Sequence, residues 1–536
     1  MRRRDFIGAT AGAMALGGCE APAAEIGGGF TGIDMARGHA LRDGALRAGA
    51  PAQTRRTRVV IAGAGVAGLA AARALRRAGI EDFVLLEQED AAGGNSRSGA
   101  VAGIACPLGA HYLPVPGDDS HEVQDLLEEL GLRQRVSGRW RYDERHLCHS
   151  PQERVFFEGE WHDGLLPVQG IGATALAQYR LFGQRVEALQ TETRFVIPTL
   201  RAPLTPTLLA LDAVPFATWL DREGFDEPHL RWYLDYCCRD DYGAAAAHVS
   251  AWAGIHYFAS RHGFHAPGDD NAERDAVLTW PEGNGWLTRQ LAEPLGDRLK
   301  AGHAVTRIAE TRHGVEVDAF DVASASPVRW QAERCIVALP VFIAARVVES
   351  PPQRLRDAAA QVKYAPWLVA NAHLRAPLAD RPGAAPSWDN VVYGTRGLGY
   401  VDARHQTLDP TPGPTVLSWY RPLGPSGHDA MDGRRQLQDR PWTAWRDELL
   451  AELSVPHPDI GALTTRIDIT RYGHAMAIPT PGLLKQIGLQ RPSAVRNQLS
   501  NKEQGRIVSG RLAFAHADWS GYSIFEEAFI RGHCAA

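Results

Sequence analysis

Residues 58–87, RVVIAGAGVAGLAAARALRRAGIEDFVLLE, decide the fold of this chain. The stretch opens with RVVIA at 58–62, a short apolar run typical of a parallel strand that is buried on both faces. The alanine-rich segment that follows predicts a slim helix that ends at Gly79. Residues 82–86 predict a second strand. The order strand, helix, strand indicates a parallel α/β sheet.

The turn between the first strand and the helix has the spacing GxGxxG, formed by Gly63, Gly65 and Gly68. The first glycine makes the turn, the second lets backbone approach a pyrophosphate, and the third lets the helix pack closely on the strand. The free N–H groups at the start of the helix would face the phosphates. Glu87 follows about 20 residues later, where a ribose hydroxyl needs an acceptor. The stretch therefore predicts a bound dinucleotide, and no second complete unit of this kind follows.

The first 19 residues, MRRRDFIGATAGAMALGGC, resemble a twin-arginine export signal. Arg3 and Arg4 precede an apolar core that is far shorter than the roughly 20 residues needed to span a bilayer. The end of the segment also resembles a bacterial lipobox, which would place a lipid on Cys19. The alternative is a soluble export signal with a chance cysteine. Either reading predicts a periplasmic protein, and the first anchors it to a membrane through Cys19.

The composition limits the other classes of function. A chain of 536 residues is too long for one core, so we expect two domains or an interleaved pair. The formal net charge of -5 argues against nucleic-acid binding. No CxxC pair is present, and the vicinal Cys237 and Cys238 lie in an apolar run that predicts buried thiols. His146, Cys148 and His149 lack a second ligand pair, so no metal site is predicted.

The predicted fold is α/β, with a Rossmann-like dinucleotide-binding domain interleaved with a mixed, helix-rich substrate domain. The predicted segments are a signal at 1–19, a tether at 20–56, dinucleotide-binding parts at 57–115, 280–345 and 501–536, and substrate-domain parts at 116–279 and 346–500.

Four motifs resemble the flavin-containing amine oxidase superfamily, which includes phytoene-desaturase-like enzymes. The motifs are residues 58–87 with the later pair Gly93 and Gly94, PLGAHYLP at 107–114, WPEGNGWL at 280–287, and FAHADWSGYSIFEEAFIRGHCAA at 514–536. The resemblance implies that the dinucleotide is FAD.

The resemblance assigns contacts with FAD to residues beyond Gly63, Gly65, Gly68 and Glu87. These residues are Gly93, Gly94, Asn95, His111, Val305 and Asp518. Asn95 stands where the family usually has an arginine, and Arg97 follows two places later. By resemblance, His111 lies beside the flavin ring, Val305 packs against the adenine, and Asp518 bonds the ribityl or pyrophosphate part. The helix predicted to begin near Ser523 would point its positive end at the flavin.

The resemblance also implies an aromatic substrate wall, for which Tyr522 is the first candidate and Trp519 is equally compatible with wall or core. The family's second wall residue corresponds to Ala475. The cysteine that binds FAD covalently in monoamine oxidases corresponds to His474, so no covalent link is predicted. The lysine that many amine oxidases place near the flavin is missing around Trp367.

The function that these features predict is FAD-dependent oxidation of a small-molecule amine, with a polyamine as one candidate. Hydride would leave a carbon next to nitrogen, and the electrons would pass to oxygen, a quinone or a cytochrome. A desaturase or isomerase of an apolar, isoprenoid-like substrate is the alternative, and an acid-lined cavity would count against it. A flavin-fold binding protein without catalysis is the third hypothesis.

Overall fold

The computed structural model describes residues 25–47, 50–148, 152–261, 263–266, 276–379, 381–405, 411–425, 430–487 and 506–536. The predicted export signal, with Arg3, Arg4 and Cys19, lies outside these residues. Within the described part of the chain, every helix is too short or too polar to cross a membrane.

A six-stranded sheet contains the strands of the stretch quoted above. In spatial order its strands are β14 (Leu299–Lys300), β4 (Phe83–Leu86), β3 (Val59–Ala62), β18 (Arg334–Val337), β25 (Leu512–Phe514) and β24 (Ile507–Ser509). All neighbours are parallel except the last pair, β25 and β24. Both β3 and β4 bury every residue, which explains their unbroken apolar sequences.

Successive residues of β3 pack against different layers. Val59 and Ile61 face a helical layer that includes α2 (Val66–Arg77) and α16 (Phe525–Ala535). Val60 and Ala62 face the opposite layer. That layer contains a four-stranded sheet, in the order β15 (His303–Glu310), β16 (Val315–Asp321), β17 (Ser326–Ala332) and β2 (Gln53–Arg56). The parallel sheet is therefore covered on both faces, as its composition predicts.

Helices α2 and α16 approach each other through small residues. A Cβ atom on Gly532 would lie 2.0 Å from the carbonyl oxygen of Ala67, so only glycine fits this contact. The last helix of the chain is thereby packed against the first helix of the dinucleotide-binding unit.

An eight-stranded sheet organises the rest of the chain. In spatial order its strands are β1 (Gly27–Thr31), β23 (Thr464–Ile478), β19 (Lys363–Leu374), β22 (Thr415–Pro422), β21 (Tyr400–Asp402), β20 (Asp389–Val392), β11 (Glu153–Phe157) and β12 (Glu160–Asp163). Its strands come from both segments that were assigned to the substrate domain. The two sheets therefore alternate along the chain, which is the predicted interleaved α/β architecture.

Helices and small sheets complete the fold. The remaining helices are α1 (Met35–Arg42), α3 (His121–Glu129), α4 (Ala173–Glu192), α5 (Pro206–Asp212), α6 (Phe216–Glu223), α7 (Pro228–Tyr242), α8 (Ala251–Ala259), α9 (Gly285–Ala292), α10 (Val341–Val347), α11 (Gln353–Gln361), α12 (Ala430–Asp439), α13 (Trp442–Leu453), α14 (Ile460–Leu463) and α15 (Leu483–Gln486). The small sheets are β10 (Leu147–Cys148) with β13 (Val277–Thr279) and β7 (Tyr112–Pro114), β5 (Ser98–Val101) with β6 (Ile104–Pro107), and β8 (Arg133–Val136) with β9 (Arg139–Tyr142). An aromatic core joins α4, α6, α7 and α8 to the eight-stranded sheet.

The predicted tether at 20–56 needs correction over its described residues. Strand β1 pairs in parallel with β23, and β2 pairs in parallel with β17. Both strands are mostly exposed and occupy sheet edges, so neither has the apolar alternation by which a strand is recognised. This segment is therefore part of the folded body rather than a tether.

Candidate functional site

The glycine turn after β3 has the geometry that its spacing predicts. Gly63 has φ of 96°, a conformation that L side chains rarely adopt. A Cβ atom on Gly68 would lie 1.8 Å from the carbonyl oxygen of Gly63, so the helix rests directly on the strand. Gly65 precedes the first residue of α2, whose N–H groups thus face the edge of the sheet.

The double glycine lies against this turn. The N–H of Gly93 donates to the carbonyl of Ala64 over 2.8 Å, and Gly65 and Gly93 form an isolated parallel bridge. A Cβ atom on Gly94 would lie 3.1 Å from the Cα of Gly65. The two glycine segments therefore form a cradle of bare backbone at the carboxyl edge of the parallel sheet. We call this the glycine cradle, defined by Gly63, Gly65, Gly68, Gly93 and Gly94.

Glu87 lies beside the glycine cradle at the end of β4. Its side chain accepts hydrogen bonds from the N–H groups of Ala64, over 2.8 Å, and Glu89, over 3.0 Å. Burial raises the pKa of Glu87, although both N–H groups favour the carboxylate. The carboxylate is thus oriented toward the turn and would accept a ribose hydroxyl there.

Arg97 supplies a buried positive charge near the same place. Its side chain is 7% exposed and lies 3.7 Å from the carboxylate of Glu89. Its Nε atom has no hydrogen-bond partner among the described groups. A buried guanidinium donor without a partner fits an anion such as a pyrophosphate.

Asp518 is fully buried between the two sheets. It accepts hydrogen bonds from the N–H of Val341, over 2.9 Å, and from the hydroxyl of Tyr364, and its other oxygen lies 3.0 Å from His516. Burial alone would raise the pKa of Asp518, but His516 and the two hydrogen bonds outweigh it and lower the pKa. Asp518 is therefore a held carboxylate, and its contact with FAD stays a prediction.

Asn95 directly follows the double glycine, whereas Val305 lies on a strand of the four-stranded sheet. The Asn95 side chain donates to the carbonyl of Ala475 on β23 over 2.6 Å. Val305 is buried on β15, beside a register shift in that strand. Asn95 thus ties the cradle to the eight-stranded sheet, while the predicted contact of Val305 with adenine is not tested by its packing.

These residues fit FAD. The bare-backbone cradle, the oriented Glu87 carboxylate and the unpartnered Nε of Arg97 together present the donor and acceptor types that a flavin dinucleotide requires.

His111 lies next to the cradle in an aromatic environment. The N–H of Ala110 donates to the carbonyl of Asn95 over 2.8 Å, so this segment follows the double glycine in space. The His111 ring stacks on Tyr420 with centroids 4.3 Å apart and lies 5.3 Å from Trp388. Burial lowers the pKa of His111 to about 3, so the imidazole is neutral near pH 7.

Two carboxylates face the same aromatic rings. The hydroxyl of Tyr112 donates to Asp240 over 3.4 Å, and its ring lies 5.9 Å from Trp388. Asp389 directly follows Trp388 in the sequence and is the first residue of β20. All four of His111, Tyr112, Asp240 and Asp389 remain partly exposed, so they border accessible space.

The environment raises the pKa of both carboxylates. Burial raises the pKa of Asp240 to about 7, and repulsion by Asp241 adds to the effect, while Arg261 opposes it. Burial also raises the pKa of Asp389 well above its usual range, with repulsion from Glu153 and Asp240. We call this group the aromatic–acid cluster, defined by His111, Tyr112, Asp240, Trp388, Asp389 and Tyr420.

The structure places both predicted catalytic residues, Tyr522 and Trp519, in the protein interior, and their catalytic role stays a prediction. Tyr522 is fully buried; its hydroxyl lies 3.0 Å from Nε2 of His256 and 3.3 Å from Glu527. Trp519 is buried in the core beside the parallel sheet, near Phe514. Neither side chain is open to a substrate, because polar partners enclose the first and apolar packing encloses the second.

The final helix begins two residues later than predicted, at Phe525, and its first turn contains two buried acids. Glu527 accepts from the N–H of Thr199 and from the hydroxyl of Ser520. Burial raises the pKa of Glu526 to about 7. Glu526 and Glu527 therefore lie at the positive end of the helix that was predicted to point at the flavin. The sequence analysis did not predict acids in this role.

The cysteines and His146, which the sequence analysis considered as candidates, have structural environments in the described part of the chain. The six described cysteines are all buried, including Cys237 and Cys238. His146 lies near the Trp280 and Trp286 rings, and the described residues contain no group of three or more potential metal ligands. His149 lies outside the described residues.

The aromatic–acid cluster was only partly predicted. His111 and Tyr112 come from the quoted PLGAHYLP motif, whereas Asp240, Trp388, Asp389 and Tyr420 were missed. A signal existed for Asp240: it is an acid at the end of the apolar helix pattern HLRWYLDYCCRDD.

The fold and the glycine cradle are those of an FAD-dependent oxidoreductase with interleaved domains. Comparison with known proteins agrees with this class. The model of the family described as flavin containing amine oxidoreductase matches residues 66–429. The chain belongs to this family, which confirms the predicted class and the flavin cofactor.

One sequence relative and two solved structures are similar to this chain. Polyamine oxidase 4 of Oryza sativa subsp. japonica is 27% identical over 307 residues, which cover 55% of this chain and 54% of that protein. The chain thus spans about half the length of this relative. Putrescine oxidase bound to putrescine matches with a TM-score of 0.64 at 18% identity, over 90% of this chain and 98% of that one. A fatty acid isomerase from P. acnes matches with a TM-score of 0.60 at 16% identity, over 89% and 97%. At these identities the two structures confirm the fold.

Replacing Glu87 with glutamine should weaken FAD binding by roughly ten- to a hundredfold, because a hydrogen bond to a charged acceptor contributes about 1.5–3 kcal/mol. Fluorescence titration of the apoprotein with FAD measures the change. The matched control is Glu144→Gln, which removes an exposed charge. Equal FAD affinity in Glu87→Gln and the control would contradict the assigned role.

Proposed function

We propose that the chain is an amine oxidase that acts on a cationic amine, with a diamine or polyamine as the preferred substrate. Hydride is removed from the carbon next to the reacting nitrogen, and water hydrolyses the resulting imine. The observation that carries the proposal is the aromatic–acid cluster beside the glycine cradle.

The acids of the cluster favour a cationic ligand. Burial and repulsion by Asp241 raise the pKa of Asp240, and burial and repulsion by Glu153 and Asp240 raise the pKa of Asp389. Arg261 lies 3.0 Å from Asp241 and only partly offsets the rise in the pKa of Asp240. An ammonium group beside these carboxyls would relieve their repulsion and favour their ionised forms.

The aromatic rings complement this charge. The faces of Trp388 and Tyr420 attract cations and pack against the methylene groups of an alkylamine. His111 stays neutral at physiological pH, so it adds no positive charge that would repel the substrate. The cluster thus combines an apolar wall with negative charge at one end.

The residues divide the work between cofactor and substrate. Bound FAD supplies the electron acceptor for the hydride. The cradle, Glu87 and Arg97 hold the dinucleotide, while the aromatic–acid cluster orients the amine. The hydrogen bond from the N–H of Ala110 to the carbonyl of Asn95 holds the aromatic–acid cluster next to the glycine cradle.

The acids also distinguish this proposal from its alternative. The isomerase among the structural neighbours shares the fold, and an apolar substrate would need no carboxylates. Partly buried carboxyls beside an apolar ligand would gain no cationic partner, which makes their ionised forms costly. This argument favours an amine over an isoprenoid-like or fatty-acid substrate.

Anaerobic spectrophotometry of the purified holoprotein tests the function. We expect a diamine such as putrescine to bleach the flavin absorption band faster than a monoamine of equal length, whereas an apolar lipid should leave it unchanged. Readmission of oxygen should restore the band if oxygen is the acceptor. Restoration only by a quinone or a cytochrome would identify a carrier instead. Bound FAD that no amine bleaches would favour a non-catalytic role.

Replacing Asp240 with asparagine should raise the KM for a diamine by roughly ten- to a hundredfold, from the loss of one charged contact. In the wild-type protein the KM should also rise as pH falls below about 7, because Asp240 then takes up a proton and loses its attraction for ammonium. Steady-state kinetics across this pH range measures both effects. The pH dependence due to Asp240 should be absent in Asp240→Asn.

Stability gives an independent readout of the same variant. Because the pKa of Asp240 is raised in the folded state, ionising this group costs stability as pH rises toward and through about 7. The Tm of Asp240→Asn should therefore exceed that of the wild type at pH 8, while its KM is worse. The control Asp297→Asn removes an exposed charge and should change neither quantity. An unchanged KM in Asp240→Asn would exclude this residue from amine binding.

We also propose that the chain is exported with its flavin loaded and is anchored in the periplasm through a lipid on Cys19. The support is the sequence of residues 1–19 alone. Cell fractionation of the wild type and Cys19→Ala tests it: the wild type should sediment with membranes, and the variant should be released into the periplasm. A cytoplasmic wild-type protein would contradict export.

A further inference from the structure

The hairpin formed by β8 and β9 is an unusual part of the described surface. Its sequence, RQRVSGRWRY at 133–142, contains four arginines and no acidic residue. The chain as a whole has a formal net charge of -5, so this basic segment differs in sign from the rest of the molecule. Residues 134–141 are all exposed.

The hairpin is short, well defined and separate from the larger sheets. Its two strands pair only with each other among the described strands. Ser137 and Gly138 both have positive φ, 50° and 80°, as a tight two-residue hairpin turn requires. Arg133 anchors the base through Glu128 over 2.6 Å. The tip therefore projects from a fixed base.

Three of the arginines are available at the surface. Arg133 is paired with Glu128, whereas Arg135, Arg139 and Arg141 form no ion pair among the described residues. Cross-strand pairing places Arg139 opposite Val136 and Arg141 opposite Gln134, so both arginines project from one face. Arg135 lies opposite Trp140 on the other face.

Apolar groups accompany these charges. Val136 is 47% exposed and Trp140 is 45% exposed, and they are two of the seven large apolar side chains most exposed in the described part of the chain. Arg133 covers one face of the indole, with its guanidinium carbon 3.9 Å from the ring centroid. A half-exposed tryptophan beside arginines is typical of groups that enter the headgroup region of a bilayer.

We propose that the hairpin at 133–142 docks onto an anionic lipid surface. Because Val136 and Trp140 lie on opposite faces, the hairpin would approach the membrane with its turn leading. The arginines would then contact phosphate headgroups, while Val136 and Trp140 enter the boundary between headgroups and acyl chains. The charge complementarity and the exposed apolar tip together favour a bilayer over a soluble polyanion, which would need no apolar groups. The proposal does not depend on amine oxidation or on the lipid expected at Cys19.

Vesicle co-sedimentation of the full-length holoprotein tests the proposal. The Cys19→Ala background is used so that no lipid on that residue contributes. We expect binding to vesicles of phosphatidylglycerol and phosphatidylcholine, little binding to phosphatidylcholine alone, and release by salt. Each basic residue near an anionic surface contributes roughly a fivefold gain in affinity.

The test variant changes Arg135, Arg139 and Arg141 to glutamine and should lose roughly a hundredfold in affinity for anionic vesicles. Its matched control changes Arg180, Arg222 and Arg312 to glutamine, which removes the same charge from exposed sites elsewhere. Flavin content and circular dichroism should be unchanged in both variants, since all six side chains are exposed.

The fluorescence of Trp140, which reports whether its ring enters the bilayer, provides a second measurement. Trp140→Phe should abolish the blue shift in fluorescence that vesicles induce, while leaving most of the electrostatic binding. The proposal is overturned if the hairpin variant binds vesicles as its control does. It is also overturned if phosphatidylcholine alone binds equally, or if heparin binds the hairpin tightly and anionic vesicles do not.

Discussion

The close approach of α2 to β3 is the constraint on which the rest of the structure depends. At Gly68 the helix touches the carbonyl of Gly63 with no room for a side chain. This contact places the N-terminus of the helix at the carboxyl edge of the sheet, which positions the cradle. On its other side the same helix receives Gly532 of α16, again without room for a Cβ atom. The first helix of the dinucleotide-binding unit and the last helix of the chain are thus held by bare-backbone contacts, and the intervening segments are packed around them.

Local signals predicted the dinucleotide half of the fold because its strands are buried on both faces and its turn requires glycine. The same reasoning failed for β1. Its sequence GGGFT has no alternation, and it becomes a strand only because β23, more than 400 residues later, offers an edge. Where pairing with a distant segment determines the structure, a local pattern carries no information about it.

The candidate site likewise contains a part that the local sequence predicts and a part that depends on distant segments. The cradle and Glu87 were predictable because one continuous stretch contains most of their geometry. Tyr522 illustrates the limit, since its motif is local but its environment comes from His256 on α8. The aromatic–acid cluster joins β7, α7 and β20, and the bond from Tyr112 to Asp240 spans 128 residues. No residue spacing within one segment could therefore have predicted this cluster.

The opposite pKa shifts of the acids inside the protein connect the fold with the candidate site. Asp518 is buried, yet His516, Tyr364 and the N–H of Val341 stabilise its carboxylate and lower its pKa. Asp240 and Asp389 border accessible space, yet their pKa values are raised, because repulsion between acids adds to the effect of partial burial. A fold selected for stability alone would favour the first arrangement over the second. Strongly perturbed carboxyls that border accessible space are typical of functional sites, where a ligand supplies the missing partner. The proposed cationic amine would supply that partner, so the cost to stability and the proposed recognition of substrate have the same physical origin.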